Sequence, residues 1–179
     1  LNYAYEVMTS AVCAASPENM KNCAGAAAVI ARKAGIFGMV GGQSLDVLLT
    51  DKPVNEKEME FIFNLKTGAL IEAAFMSGAI LAGAGKECVS QLEKAGNLVG
   101  VAFQIKDDIL DVTSTQEVLG KPVFSDEKNN KTTYVTLYGM EKAAADVENM
   151  SEKAENIVKS IGDNEFLIEL INKLISREK

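Results

Sequence analysis

Histidine is absent from the 179 residues. Its absence excludes His-based general acid–base catalysis, Ser–His–Asp and Cys–His nucleophile systems, and every zinc or iron site built on imidazole. Cysteine is scarce: Cys13, Cys23 and Cys88 form an odd set without C-x-x-C spacing, so neither a disulfide framework nor an all-cysteine zinc site is available. These three are expected to be small core hydrophobes in a reducing cytoplasm. Positive charge is in deficit, with 18 Lys plus Arg against 25 Asp plus Glu. A net charge of -7 argues against general affinity for nucleic acid and against a polybasic membrane anchor. Proline occurs only at Pro17, Pro53 and Pro122, and strand-like alternation is almost missing, which predicts an all-α protein.

What remains is 47% hydrophobic and 24% charged, enough to bury one sizeable core as a single helical domain over 1–179. The chain opens on Leu1, and Leu-Asn-Tyr-Ala-Tyr-Glu-Val-Met reads as the middle of a helix with no basic segment before it. The natural chain is therefore expected to be longer at its N-terminus.

A first helix is predicted to end near Ala15, with Ser16-Pro17-Glu18 restarting a second that runs to about Leu49. That second helix carries Gly35, Gly38, Gly41 and Gly42, an arrangement that needs close packing or a bend to offset its cost. Asn55 and Glu58 read as a capping box opening a third helix to about Gly83. From Thr67 to Gly85, 19 residues contain no Lys, Arg or Asp, the length of a membrane span. Glu72 interrupts that run, and its Gly and Ala content is too weakly apolar to carry a buried acid into a bilayer. The better reading is an interior helix packed through Gly68, Ala69, Ala73, Gly78 and Ala82, with no membrane span. Helices near Glu87–Asp111, Glu141–Ser160 and Asn164–Ser176 complete the pattern around a polar stretch from Ser114 to Lys131.

The chemistry concentrates in Phe103-Gln104-Ile105-Lys106-Asp107-Asp108-Ile109-Leu110-Asp111. On a helix, Asp107, Asp108 and Asp111 share one face, where like charges repel and a bound cation would relieve them. The alternative is an ordinary solvated acidic face, but the preceding Leu98-Val99-Gly100-Val101-Ala102 is apolar and points to an interior helix. Carboxylates without His or Cys suit Mg2+, held by one or two acids, waters and the oxygens of a substrate phosphate. A calcium loop is excluded, because its ligand order is missing. Lys66, Lys121 and Lys131 supply the ammonium groups that a diphosphate requires, and the apolar helices beside them suit a substrate with a charged head and a greasy tail.

Four motifs carry a resemblance: Gly41-Gly42-Gln43-Ser44-Leu45-Asp46, Lys66-Thr67-Gly68-Ala69-Leu70-Ile71, the aspartate segment, and Leu119-Gly120-Lys121-Pro122 through Lys131-Thr132-Thr133-Tyr134. In order and spacing the chain resembles trans-isoprenyl diphosphate synthases, most of all bacterial farnesyl diphosphate synthases. The resemblance implies an isoprenoid-synthase-type helical bundle, a cytoplasmic homodimer, and Mg2+-dependent joining of an allylic diphosphate to isopentenyl diphosphate. It further implies that Asp107, Asp108 and Asp111 hold Mg2+, with Asp107 the direct ligand. Lys66, Lys121 and Lys131 would hold the allylic diphosphate, Thr67 and Gln104 would line the reacting carbons, and Gln43 and Asp46 would stand at the substrate cavity. Such Lewis-acid and electrostatic catalysis needs no histidine.

Two departures stand out. Phe124 occupies a position where the family usually has glycine. The family's first aspartate-rich motif and its isopentenyl-diphosphate residues lie upstream of the position matching Leu1, so the isolated chain is expected not to turn over. A noncatalytic dimerising subunit, packing through the Ala- and Gly-rich face of residues 24–42, is the competing reading, and geranylgeranyl diphosphate is an alternative product. Terpene cyclisation is disfavoured, because Lys66-Thr67 and Gly120-Lys121 fit chain elongation better.

Overall fold

The computed structural model describes residues 2–113, 132–162 and 164–177, and every regular element among them is helical. In chain order these are α1 (Asn2–Ala14), α2 (Met20–Ala34), α3 (Met39–Leu48), α4 (Glu56–Ile62), a π-helical turn (Phe63–Gly68), α5 (Ala69–Leu81) and α6 (Lys86–Thr113). Beyond the segment 114–131, which lies outside the described residues, follow α7 (Tyr134–Tyr138), α8 (Met140–Ile161) and α9 (Glu165–Ser176).

The all-α expectation holds, and several boundaries follow from the residues that predicted them. Asn55 accepts from the Glu58 N–H while the Glu58 carboxylate accepts from the Asn55 N–H, the reciprocal box that opens α4. The restart after Pro17 comes later than expected, at Met20, because residues 17–19 form a turn that bonds back to the Ser16 carbonyl. The single helix expected from Pro17 to Leu49 divides at residues 35–38, where a Cβ at Gly38 would lie 1.8 Å from the Lys33 carbonyl oxygen, so the chain bends where it has no side chain. The run Met20–Leu48 is apolar and long enough to cross a membrane by length and composition. Its Lys33, however, is ion-paired to Glu72 of α5 and Glu93 of α6, and Gly25 packs against Ile80, as in a helix docked on its neighbours.

Helix α6 is the axis of the bundle, packed by α5, α8 and the π-helical turn. Its small and branched residues Ala95, Val99, Ala102 and Ile105 are fully buried. One apolar cluster joins Ile105 to Met59, Ile62, Phe63, Ala143 and Val147, and a second joins Ala95 and Val99 to Ala154, Val158 and Ile171. Truncating Ile105 to alanine would cost about 2–5 kcal/mol.

Two expectations about packing need correction. Gly68, Ala69 and Ala73 of the charge-poor segment are buried, but Gly78 and Ala82, four apart on one face, are exposed, whereas Ser77 and Ala79 beside them turn inward. The cysteines are not core residues: Cys13 is exposed and Cys23 and Cys88 are half-buried. Within the chain Gly25 packs against Ile80 of α5 and Gly42 against the π-helical turn, the close packing that the glycines of this stretch call for. Large apolar side chains left outside on α2–α3 include Met20, Ile36, Phe37, Val47 and Leu48.

Candidate active site

The π-helical turn assembles the site. The Ala69 N–H bonds to the Asn64 carbonyl, five residues back, which inserts one residue relative to an α-helix and sends consecutive side chains to different neighbours. Lys66 Nζ donates to Asp46 Oδ2 of α3 at 2.6 Å, while Thr67 Oγ1 donates to Gln104 Oε1 of α6 at 3.0 Å. Four of the expected site residues are thus brought together by six residues of irregular helix.

Backbone contact holds this arrangement. A Cβ at Gly42 would lie 2.4 Å from the Lys66 nitrogen, and one at Gly100 would lie 2.5 Å from the Gly68 Cα. Both α3 and α6 therefore touch the turn through main-chain atoms, and no larger residue fits between them. Asp46, Lys66, Gln104 and Asp108 line a cleft of only about 20 Å³ over an apolar floor of Met59, Ile62 and Phe63. Gln43 stands apart, beside an open hollow of about 400 Å³ lined by Met39, Val40, Ser44 and Val47.

The three aspartates of α6 have different surroundings. Asp108 and Asp111 are buried, at 5% and 4% exposure, and Asp108 Oδ2 accepts from the Tyr134 N–H at 2.7 Å, tying α7 to α6. Asp107 is the accessible one, and its Oδ1 accepts from Arg177 just past α9 at 2.5 Å. Among the described residues no three acidic or cysteine side chains converge on a single point. The donor set at Asp107 fits a hard cation of the magnesium type, with one accessible carboxylate and the remaining positions left to water and phosphate oxygens. Lys121, Lys131 and Phe124 lie outside the described residues.

Beside the site runs a polar network that the sequence reading did not assign. Glu72, 7% exposed, accepts from Lys33, whose Nζ also reaches Glu93 Oε1 at 2.7 Å. Burial pushes the Lys33 ammonium pKa down, but its bonds to the two carboxylates outweigh that and leave it above the ordinary lysine value. Asn97 Nδ2 donates to Asn64 Oδ1 at 2.9 Å and to Glu72 Oε1 at 2.7 Å. The one signal in the sequence is a polar residue at 97 between Gly96 and Gly100 on an otherwise apolar stretch. Arg177, near the chain end, carried no signal at all.

Comparison with known proteins identifies the family. Residues 3–171 match the family model described as polyprenyl synthetase. The farnesyl diphosphate synthase of Escherichia coli (strain K12) is 37% identical over 155 residues, 84% of this chain and 52% of that protein. A geranylgeranyl diphosphate synthase of Cyanophora paradoxa is 40% identical over 129 residues, 72% of this chain and 43% of that protein. Among solved structures, a geranyltransferase from Helicobacter pylori complexed with magnesium and isoprenyl diphosphate superposes with a TM-score of 0.79 at 27% identity, covering 98% of this chain and 56% of that one. The chain spans about half the length of the curated relatives it matches. With its helical bundle, its motifs and this match over nearly all its residues, the chain belongs to the polyprenyl synthetase family.

Proposed function

We propose that the protein is a prenyl diphosphate synthase whose 179 residues carry the allylic-diphosphate half of the site. The observation that carries this reading is the pairing of Lys66 with Asp46 and of Thr67 with Gln104 across one π-helical turn, with Gln104 on the same helix as Asp107. On binding, the Lys66 ammonium transfers from Asp46 to phosphate oxygens, and Lys121 and Lys131 add further positive charge. Asp107 would hold magnesium, which when bound would neutralise charge on the departing diphosphate. The Thr67 and Gln104 oxygens direct their dipoles at the carbon where positive charge develops. As the allylic carbon–oxygen bond breaks, the double bond of isopentenyl diphosphate attacks that carbon, and the departing pyrophosphate takes up the proton lost on head-to-tail elongation.

Farnesyl diphosphate is the product we favour, with geranylgeranyl diphosphate as the second reading, since named relatives of both kinds align at similar identity. We further propose a homodimer in the cytoplasm, supported by the exposed Ile36, Phe37, Val47 and Leu48 and by the three thiols left free.

The test has two arms. Calorimetric titration with Mg2+ and pyrophosphate needs only residues present here and is expected to show binding that Lys66→Met weakens. Product analysis with geranyl and isopentenyl diphosphates follows in the assembled enzyme, where Asp107→Ala is expected to lower turnover by at least about tenfold. Absence of pyrophosphate binding in the parent chain would refute the reading.

A further inference from the structure

We infer that Asn97 is a positioning residue, a clamp across the π-helical turn that fixes where Lys66 and Thr67 point. The inference rests on the proposed roles of those two side chains, and its geometry is independent of them. A π-helical turn is a strained insertion that persists only where its surroundings hold it. Here one side-chain nitrogen bonds both to the turn and to the helix that follows it. Asn97 Nδ2 has two N–H bonds, of which one goes to Asn64 inside the turn and the other to Glu72 one turn beyond its end.

The orientation of the amide is dictated by chemistry. The Glu72 carboxylate offers only acceptors, so nitrogen rather than oxygen must face it. Glu72 is in turn fixed by Lys33, which spans from α2 to α5 and α6. Access for Asn97 depends on Gly68, where a Cβ would come within 3.3 Å of Nδ2. Asn97 and Gln104 lie seven residues apart on α6, two turns along one stripe. The same face of α6 therefore binds the turn at both ends, through Asn97 below and through Gln104, which receives Thr67, above.

Three variants test the clamp, read by hydrogen exchange of residues 63–70 and by affinity for Mg2+–pyrophosphate. Asn97→Leu keeps the volume and removes both donors. Exchange in 63–70 is expected to accelerate about tenfold, the scale of a lost hydrogen bond to a charged acceptor, while α8 is unchanged. Pyrophosphate affinity of the folded protein should fall by a similar factor as Lys66 loses its fixed direction. Asn97→Asp sets a carboxylate against Glu72 and should be worse. Adding Glu72→Gln to Asn97→Asp restores a donor facing an acceptor with reversed polarity, and should return both readouts to within about threefold of the parent. Unchanged exchange in 63–70 would overturn the clamp. So would uniform loss of protection along the chain with unaltered pyrophosphate affinity, which marks a merely structural residue. If Asn97→Leu does not fold, the comparison of Asn97→Asp with its Glu72→Gln partner decides the matter. A parent chain that binds no pyrophosphate would refute the proposed function instead, and hydrogen exchange alone would then decide the clamp.

Discussion

Arg177 donates to Asp107 Oδ1 at 2.5 Å while its guanidinium carbon sits 3.6 Å from the centre of the Phe103 ring. The contact joins the end of α9 to the accessible carboxylate of the aspartate motif. A cation and Arg177 thus compete for one oxygen. A partly buried ion pair of this kind, discounted for solvent screening, is worth about 1 kcal/mol, which converts to about fivefold in affinity. Arg177→Gln is therefore expected to tighten Mg2+ binding by a few-fold in a calorimetric titration. Equal or weaker binding would show that Arg177 helps to hold the ligand instead.

The two kinds of glycine contact give opposite signs. Alanine in a helix interior normally gains up to about 1 kcal/mol over glycine. At Gly78 nothing lies within 4 Å of a Cβ, so Gly78→Ala should raise the midpoint of thermal unfolding. At Gly100 the nearest atom is the Gly68 Cα at 2.5 Å, which cannot swing away, so Gly100→Ala should destabilise by about 1–3 kcal/mol. Thermal unfolding of the pair, followed by circular dichroism, checks both; a stabilised Gly100→Ala would mean that α6 yields easily.

The Tyr134 hydroxyl donates to Asp146 Oδ2 at 2.6 Å. Burial, then the Asp146 carboxylate, raises the phenol pKa well above its ordinary value. A group whose pKa is raised on folding stabilises fully below its unfolded pKa, and that contribution fades as pH rises through the folded one. Tyr134→Phe should lose about 1 kcal/mol at neutral pH, and its deficit against the parent should shrink above about pH 10. A deficit constant with pH would exclude phenol ionisation as its source.

Lys66→Met is expected to weaken pyrophosphate binding by at least about tenfold, since a charge-assisted contact is lost. Asp46→Asn should act the other way on the same assay. It lowers the hold on the Lys66 ammonium and so favours its transfer to phosphate; weaker binding by Asp46→Asn would show instead that the pairing aims the lysine.

Local signals were legible and remote ones were not. Asn55 and Glu58 stand three apart, so their box could be read directly, as could the run of small residues that lets α6 approach Gly68. The π-helical turn could not, because one inserted residue leaves no periodicity of its own in six residues. Lys33 and Glu72 are 39 residues apart, and Arg177 and Asp107 are 70 apart, distances over which only the packed helices decide who meets whom. The three aspartates were legible as a set, whereas their separation into one accessible and two buried groups depended on α7 and on the chain end. The cysteines were misread because burial of that residue type is a tendency, and each falls on an outer helix surface or edge.

Because α3, the π-helical turn and α6 meet through main-chain atoms at Gly42, Gly68 and Gly100, the mutational routes open to this protein divide in two. Apolar side chains remote from these three glycines can change without altering how closely the main chains approach there. The stretch that holds Lys66 and Thr67 is insulated from such change, whereas a single added methyl group at Gly42 or Gly100 would disturb it at once.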